Sequence, residues 1–165
     1  MYKVFIDNSP KNYSLDSEEA LLKTFSDHKF IEAAGGLVVR GDQYMFIKRH
    51  GKWDIPKGKR DEGESIKRCA TREVEEECGV QNLEITAHLV NTWHTYYTRK
   101  GNKAIKKTYW YLMQERGKKV DVVPQLEEGI TAVRFFKKSE FELIRTNTFG
   151  SIEEVLKAVE RLEKI

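Results

Sequence analysis

Two glutamates near the middle of the chain, Glu73 and Glu77, occupy positions where carboxylates are unusual. If the segment around them is helical, they lie one turn apart, at roughly −20° and +20° from Ile66 when each residue advances the helix by about 100°. Both then fall within the apolar face of that helix. Carboxylates at this spacing repel each other, and turning them toward a core removes their hydration.

Two interpretations of these charges compete. A solvated acidic surface is the usual fate of a charge run, and it fits Glu75, on the opposite side of the helix, and Glu62, which precedes it. It fits Glu73 and Glu77 badly. A divalent cation would compensate both charges, and carboxylate oxygens suit Mg²⁺ or Mn²⁺. The pattern therefore favours a metal site.

The helix that would position these glutamates is predicted over residues 65–78. This stretch contains no Gly or Pro and consists mostly of good helix formers. Ser65 is suited to the N-cap, and Gly79 supplies the left-handed residue that ends many helices. Glu76 lies at the edge of the apolar face. That face comprises Ile66, Cys69, Ala70, Val74 and Cys78, and we expect it to pack on a β-sheet.

The segment 58–80 resembles a complete Nudix box. Its fixed positions, with five, seven, one and one residues between the groups, are Gly58, Glu64, Arg72-Glu73-Val74, Glu76-Glu77 and Gly79-Val80. No position departs from the family pattern, and the order of the flanking strands extends the resemblance to roughly residues 34–140. The resemblance implies a pyrophosphohydrolase that cleaves a nucleoside diphosphate linked to another moiety.

The resemblance also implies roles for the residues of the box. The metal ligands would be the carbonyl of Gly58 and the carboxylates of Glu73, Glu76 and Glu77. Arg72 would hold a box carboxylate by ion pairing rather than touch the substrate. Glu64 would orient Glu73 or a metal-bound water. Gly79 would serve the structure of the motif.

The general base is left open between two regions of the chain. Family members take the proton from the attacking water either with a box glutamate or with an acidic residue on a later loop. The box candidates are Glu64, Glu73 and Glu76. The later candidates are Glu127 and Glu128, just before the last predicted strand. A solvated pair of turn residues is an equally good interpretation of these last two.

Basic and aromatic residues on both sides of the box are candidates for substrate binding. One basic segment leads into the box, and another is predicted as a loop over residues 99–107. Exposed Lys and Arg usually serve solubility, but a polyphosphate beside an acidic metal helix would need such cations. Aromatic side chains could stack on a base. The candidates are Arg49, Trp53, Lys57, Lys103, Lys106, Lys107 and Tyr109; His50 and His94 are expected to be ordinary residues.

Within the family, the segment Trp53-x-x-Pro56-Lys57-Gly58 is similar to one in diadenosine polyphosphate hydrolases, diphosphoinositol polyphosphate hydrolases and mRNA-decapping enzymes. The strand-like segment 106–111 resembles the first group. The expected substrate is therefore a nucleotide polyphosphate, with a dinucleoside polyphosphate favoured. The alternatives are RNA 5′ ends, inositol pyrophosphates or nucleoside diphosphate sugars, and, in another class, a non-catalytic nucleotide-sensing domain. Sensors tend to lose box carboxylates, whereas this chain retains them.

The order of predicted elements gives the fold class. Strands are predicted over residues 2–6, 33–39, 44–47, 83–97, 108–113 and 130–136, with a short one within 120–126. Helices are predicted over 15–27, 65–78 and 138–145, and a last one opens with a capping box at 151–154. A turn is predicted at 8–10. This α+β order, together with the resemblance, implies a Nudix-like α/β/α sandwich with a mixed central sheet and a loop–helix–loop catalytic motif.

The chain has 165 residues and a formal charge of +3, which suits one domain and does not by itself indicate nucleic-acid binding. We expect an N-terminal extension over 1–32, as an add-on, a dimer contact or a substrate lid, and a Nudix domain over 33–165. The expected partner is a small-molecule nucleotide polyphosphate, with no membrane and no stable nucleic-acid partner; a homodimer is left open. No signal peptide or membrane-length apolar run is evident, so the expected location is cytoplasmic.

Overall fold

The computed structural model describes residues 1–162, so the last three residues of the predicted domain lie outside it. The strands of the described chain are β1 (Tyr2–Ile6), β2 (Ser9–Tyr13), β3 (Lys29–Arg40), β4 (Gln43–Arg49), β5 (Lys52–Asp54), β6 (Lys57–Lys59), β7 (Leu83–Tyr97), β8 (Lys103–Glu115) and β9 (Ile130–Lys137). The α-helices are α1 (Glu18–Thr24), α2 (Ile66–Cys78), α3 (Phe141–Arg145) and α4 (Gly150–Leu162). Within residues 1–162, no helix is both long and apolar enough to cross a bilayer.

The strands form one mixed sheet that divides along β3. The main order is β2-β1-β7-β8-β3-β4-β5, with β6 paired to β3 and β9 paired to β4. On one side β3 runs parallel to β8 along most of its length. On the other side it pairs first with β6, where Gly35 lies opposite Lys57, and only later with β4, at Val39 and Arg40. The start of the box is thus held against the middle of the sheet by β6.

Helices cover both faces of the sheet, as the resemblance implied. On one face the buried residues of α2, among them Cys69, Ala70 and Val74, pack against strand residues such as Val38 and Met45. On the other face the apolar stripe of α4 packs against Trp110, Phe46 and neighbouring side chains. Burial of these two stripes stabilises the fold, because apolar area removed from water contributes about 25 cal/mol per Å².

The N-terminal residues continue the same sheet. Strand β1 pairs in parallel with β7, and α1 buries Leu21 and Phe25 in a cluster with Val4, Trp93 and Ile105. The expected boundary between residues 32 and 33 falls inside β3. The division of the chain into an extension and a domain stays a prediction.

The predicted loop over residues 99–107 was wrong in its second half. Residues 103–107 form the first part of β8 and pair with β7 on one side and β3 on the other. The lysines suggested a solvated loop, but Ala104 and Ile105 between them are fully buried, and Lys107 is itself buried. Pairing on both edges therefore outweighed the low strand preference of lysine.

Smaller corrections concern three other segments. The chain turns at Asp7 and Asn8, which have φ of 50° and 62°, and Ser9 and Pro10 already belong to β2. Residues 120–125 form no regular strand. Helix α4 begins at Gly150, one residue before the predicted capping box, because the Gly150 N–H is satisfied by the side chain of Asn8 at 2.8 Å.

Candidate active site

Helix α2 has the boundaries that its sequence predicted. The Ser65 side chain accepts a hydrogen bond from the Arg68 N–H at 3.1 Å and caps the first turn. Gly79 ends the helix with φ of 74°, and its N–H donates to the Glu75 carbonyl at 2.9 Å. With both ends fixed, the glutamates of the last two turns are held in a defined rotation relative to the sheet.

Glu73 lies directly against the main chain of Gly58 in β6. A Cβ atom added at Gly58 would stand 2.0 Å from Glu73 Cδ and 2.1 Å from its Oε2. Glycine is therefore needed here for close approach rather than for an unusual backbone angle. The contact places a carboxylate and a main-chain segment of the box loop in one small cavity, which is what shared metal ligands require.

Arg72 is the hub of an ion-pair network within the box. Its Nε donates to Glu64 Oε2 at 2.6 Å and its Nη2 donates to Glu64 Oε1 at 2.9 Å. Its Nη1 reaches Glu73 at 2.8 Å and Glu76 at 3.3 Å. The bidentate bond from Arg72 lowers the pKa of the Glu64 carboxyl to about 2. This is the ion-pairing role expected for Arg72, and Glu64 also accepts a hydrogen bond from the Asp61 N–H at 3.1 Å.

Glu77 is buried and is held by groups outside the box helix. Its Oε1 accepts from Arg49 Nη2 at 2.5 Å, and its Oε2 accepts from the Lys57 N–H at 3.1 Å. Burial raises the pKa of the Glu77 carboxyl above its ordinary value, and the charge of Arg49 opposes that rise. Burial likewise raises the pKa of Glu73, against the effect of Arg72.

A cavity of about 300 Å³ collects the oxygen donors of the box. Its donor-bearing lining residues are Gly58, Glu73, Glu76, Glu77, Gln125 and Glu128. Donors of this kind suit Mg²⁺ or Mn²⁺. Across residues 1–162, no three acidic, His or Cys side chains already converge closely enough to hold an ion, because Arg72 and Arg49 hold the carboxylates in ion pairs. The residues fit a divalent cation in type, and binding requires side-chain rotation.

A second cavity, of about 340 Å³, adjoins the first on the α4 side of β8. Arg49 and Lys57 line both cavities and form a cationic junction between them. The Nε atom of Arg49 is buried there without a hydrogen-bond partner, which leaves a donor for an anionic ligand. The apolar wall of the second cavity is formed by Phe5, Trp110, Phe149 and Ile152.

Lys106 and His94 are neighbours across β8 and β7 near this junction. Burial, followed by the charges of Lys57 and Arg49, lowers the pKa of Lys106 to about 8. Burial and the nearby Lys106 lower the pKa of His94 to about 4. At pH 7 Lys106 therefore carries its charge and His94 is neutral. Glu77 and Asp54 offset the charges of Arg49 and Lys57, so the charge of Lys106 and the free Nε donor of Arg49 are the groups best suited to bind phosphate.

The structure brings only part of the predicted substrate-binding set to these cavities. Arg49, Lys57 and Lys106 line them. Lys103 is exposed and pairs with Asp27 at 3.2 Å, and Lys107 pairs with Glu18 at 2.7 Å. Lys103 and Lys107 therefore contact the N-terminal region instead of the cavities. They do so because residues 103–107 belong to strand β8 and do not form the predicted loop.

The two predicted aromatic contacts and one predicted acid also lie outside the cavities. Trp53 packs edge-on against Phe136, with ring centroids 4.9 Å apart. Tyr109 donates its hydroxyl to Glu32 at 2.9 Å. Of the two later acids, Glu128 lines the box cavity and Glu127 does not. The short 3₁₀ turn Leu126–Glu128 explains this difference, because adjacent residues in a turn point in different directions.

Several lining residues were missed by the sequence reasoning. Asp54 is buried and accepts from Lys57 Nζ at 3.0 Å, and His94 was expected to be ordinary. Trp110, Phe149 and the N-terminal Phe5 form the apolar wall. The spacing of three residues between Asp54 and Lys57 could have indicated the ion pair that holds Asp54. The others come from separate segments of the chain, so no local pattern links them.

Comparison with known proteins gives a consistent result. The family model described as the NUDIX domain matches residues 29–157. Nudix hydrolase 27, chloroplastic, from Arabidopsis thaliana is 35% identical over 81 residues, which are 42% of this chain and 35% of that protein. The chain spans less than half the length of the curated relatives it matches.

Two solved structures share the fold. A C. elegans Ap4A hydrolase in a binary complex matches with a TM-score of 0.61 and 18% identity, covering 81% of this chain and 98% of that one. A bifunctional NMN adenylyltransferase/ADP ribose pyrophosphatase from Francisella tularensis, complexed with AMP and a Mn ion, matches with a TM-score of 0.58 and 15% identity, covering 87% and 44%. At these identities the likeness concerns the fold alone.

Proposed function

The chain belongs to the Nudix family, and we propose that it is a divalent-metal-dependent hydrolase that cleaves a pyrophosphate bond in a dinucleoside polyphosphate. The observation that carries this proposal is that two adjacent cavities share the cations Arg49 and Lys57. An acidic cavity suited to metal ions lies on one side of these cations, and a cavity with an apolar wall lies on the other. A dinucleoside polyphosphate matches this arrangement, because its phosphate bridge is anionic and the base at its end is largely apolar.

The phosphate bridge would lie across the cationic junction. The unpartnered Nε of Arg49, together with Lys57 and Lys106, would donate hydrogen bonds to its oxygens. The apolar wall would contact one base, with the ring of Trp110 already fixed by its hydrogen bond to Thr92 at 2.8 Å. This arrangement would orient the bridge before reaction, which is the main contribution a protein makes to phosphoryl transfer.

Glu73, Glu76 and Glu77, with the Gly58 carbonyl, would hold Mg²⁺ or Mn²⁺. The metal would neutralise charge on the phosphate oxygens and lower the pKa of the attacking water. Proton removal is assigned to Glu128. Among the described residues that line the acidic cavity, Glu128 is the glutamate whose carboxylate has no hydrogen-bond or ion-pair partner, so it is free to accept a proton.

The substrate part of the proposal is tested with diadenosine compounds of two, three and four bridging phosphates. We expect kcat/KM to rise along the series, because each added phosphate brings about one more negative charge to the junction. The rise should shrink at high salt, since partly exposed charges are screened. Lys106→Ala should flatten the series. Lys103→Ala is the matched control, because Lys103 lies on the same strand but pairs with Asp27.

Product analysis in ¹⁸O-labelled water would identify the phosphorus that is attacked. A flat or falling series, or a clear preference for ADP-ribose, an inositol pyrophosphate or an RNA 5′ end, would reject the dinucleoside polyphosphate. Full turnover in the presence of a chelator would reject the metal requirement. Equal losses in Glu128→Gln and Glu127→Gln would reject Glu128 as the base. Cytoplasmic location and a homodimer stay predictions.

A further inference from the structure

The β1–β2 turn, Asp7 and Asn8, forms part of the cavity wall, although it lies outside residues 29–157 that match the family. Strand β1 reaches the site because Phe5 pairs in register with His94 of β7. Phe5 and His94 both line the same cavity as the turn. The N-terminal segment therefore contributes surface to the site through main-chain pairing.

The turn is docked on the start of α4 by close contacts. The Asn8 Oδ1 atom accepts from the Gly150 N–H at 2.8 Å. Phe5 lies so close that a Cβ at Gly150 would stand 2.5 Å from its Cε1. Lys3 forms an ion pair with Glu154 further along α4. These contacts fix the turn at the rim of the cavity, so the orientation of its side chains is reproducible.

The β1–β2 turn brings to the cavity a charge opposite in sign to those of Arg49 and Lys57. Arg49 and Lys57 bring cations to the cavity lining, where Lys57 pairs with Asp54, whereas Asp7 brings a carboxylate from the turn. Within residues 1–162, the Asp7 carboxylate has no hydrogen-bond or ion-pair partner. A carboxylate repels phosphate and accepts hydrogen bonds, so it favours a ligand group that carries N–H or O–H donors. With its Oδ1 engaged, Asn8 keeps its amide N–H₂ free to donate.

We propose that Asp7 and Asn8 are specificity-determining residues that bind the polar edge of the nucleoside whose phosphates lie at Arg49 and Lys57. This inference rests on the proposed function, because it takes a nucleoside as the occupant of the second cavity. Asp7 accepts hydrogen bonds from the base or ribose, and Asn8 both locks the turn onto α4 and offers a donor. The N-terminal segment is then a selectivity element of the site.

The test is calorimetric titration of the full chain, in Mg²⁺, with AMP, with GMP and with inorganic tripolyphosphate. Asp7→Asn preserves the turn, since Asn readily adopts positive φ. We expect it to weaken binding of at least one nucleotide about tenfold and tripolyphosphate less than twofold. Asp16→Asn, an exposed change in the same N-terminal segment, is the control and should behave as wild type.

Turnover supplies a second readout. With a diadenosine substrate, Asp7→Asn should raise KM more than it lowers kcat, and Asn8→Gly should act in the same direction. Equal weakening of nucleotide and tripolyphosphate, or a change below threefold for both nucleotides, would overturn the inference. If Asp7→Asn weakens nucleotide binding but no dinucleoside polyphosphate is hydrolysed, the inference stands and the proposed function fails. If a dinucleoside polyphosphate is hydrolysed but Asp7→Asn leaves nucleotide binding unaltered, the proposed function stands and the inference fails.

Discussion

Gly58→Ala is the substitution that best separates the site from the fold. Gly58 has no positive φ, so alanine is compatible with its backbone. The added Cβ would stand 2.0 Å from Glu73 Cδ. Two carbons in contact normally lie about 3.5 Å apart, so the carboxylate has to move by about 1.5 Å. Because Glu73 is a flexible side chain, it can move without shifting the helix.

The expected effects on activity and stability differ in size. Displacement of a reacting or ligating group by about 1 Å can lower a rate on the order of 10²-fold, or about 2.7 kcal/mol of transition-state stabilisation. The free energy of unfolding should change by less than about 1 kcal/mol, because the reduced entropy of the unfolded chain offsets the lost contact of Glu73 with Arg72. The variant should therefore be folded and nearly inactive.

Kinetics with a diadenosine substrate and thermal unfolding would measure the two effects, and titration with Mn²⁺ would report the metal site directly. Gly35→Ala is the matched control, because its Cβ would stand 2.1 Å from the main-chain oxygen of Pro56, which cannot rotate away. That variant should lose about 1–3 kcal/mol of stability. Wild-type kcat/KM in Gly58→Ala, or destabilisation as large as that of Gly35→Ala, would refute the reasoning.

Three further predictions follow from the ion pairs and pKa shifts. Glu77→Gln should abolish activity and lower the free energy of unfolding by about 3 kcal/mol, because Arg49 loses its buried partner. Glu75→Gln is the control and should change the free energy of unfolding by less than about 0.5 kcal/mol. Equal effects of the two substitutions would reject the placement of Glu77 on the buried face of α2. The pKa of Glu64 in the folded protein is lowered to about 2. The wild type should therefore exceed Glu64→Gln in free energy of unfolding by a constant amount above pH 4.5, and this difference should disappear as pH falls toward 2. Unfolding of both proteins measured across this pH range would show it. Because Lys106 loses its proton near pH 8, tripolyphosphate affinity should fall as pH rises through 8 in the wild type but not in Lys106→Arg; parallel pH profiles would contradict this.

The sequence predicted the parts of the site that depend on local spacing. The boundaries of α2 follow from Ser65 and Gly79, and the burial of Glu77 follows from its position on the apolar arc. The ion pairing of Arg72 came from the family resemblance and is present in the structure. These features all lie within one helix and its ends. The fixed rise and rotation per residue of a helix allow their positions to be worked out from the spacing in the sequence.

The parts that were missed depend on pairing between distant strands. Whether Lys106 or Lys107 reaches the site is decided by a single step of register, because adjacent residues of a strand face opposite sides of the sheet. In β8 that register is set by Ile31 opposite Lys106, which no local pattern reveals. The contribution of Phe5 depends in the same way on the parallel pairing of β1 with β7.

The geometry of Arg72 also indicates how a metal ion could enter the site. Its contacts with Glu64 are short and bidentate, at 2.6 and 2.9 Å, whereas both contacts with Glu76 are 3.3 Å long and the Glu76 side chain is half exposed. Charge-assisted hydrogen bonds weaken with length, and exposed ion pairs contribute little. We therefore expect Glu76 to leave Arg72 first when a cation binds. Glu64 would keep Arg72 in place, and Arg72 would remain bonded to the Lys59 carbonyl of β6 at 3.2 Å. On this argument, Glu64 supports the site by holding the arginine that ties β6 to α2.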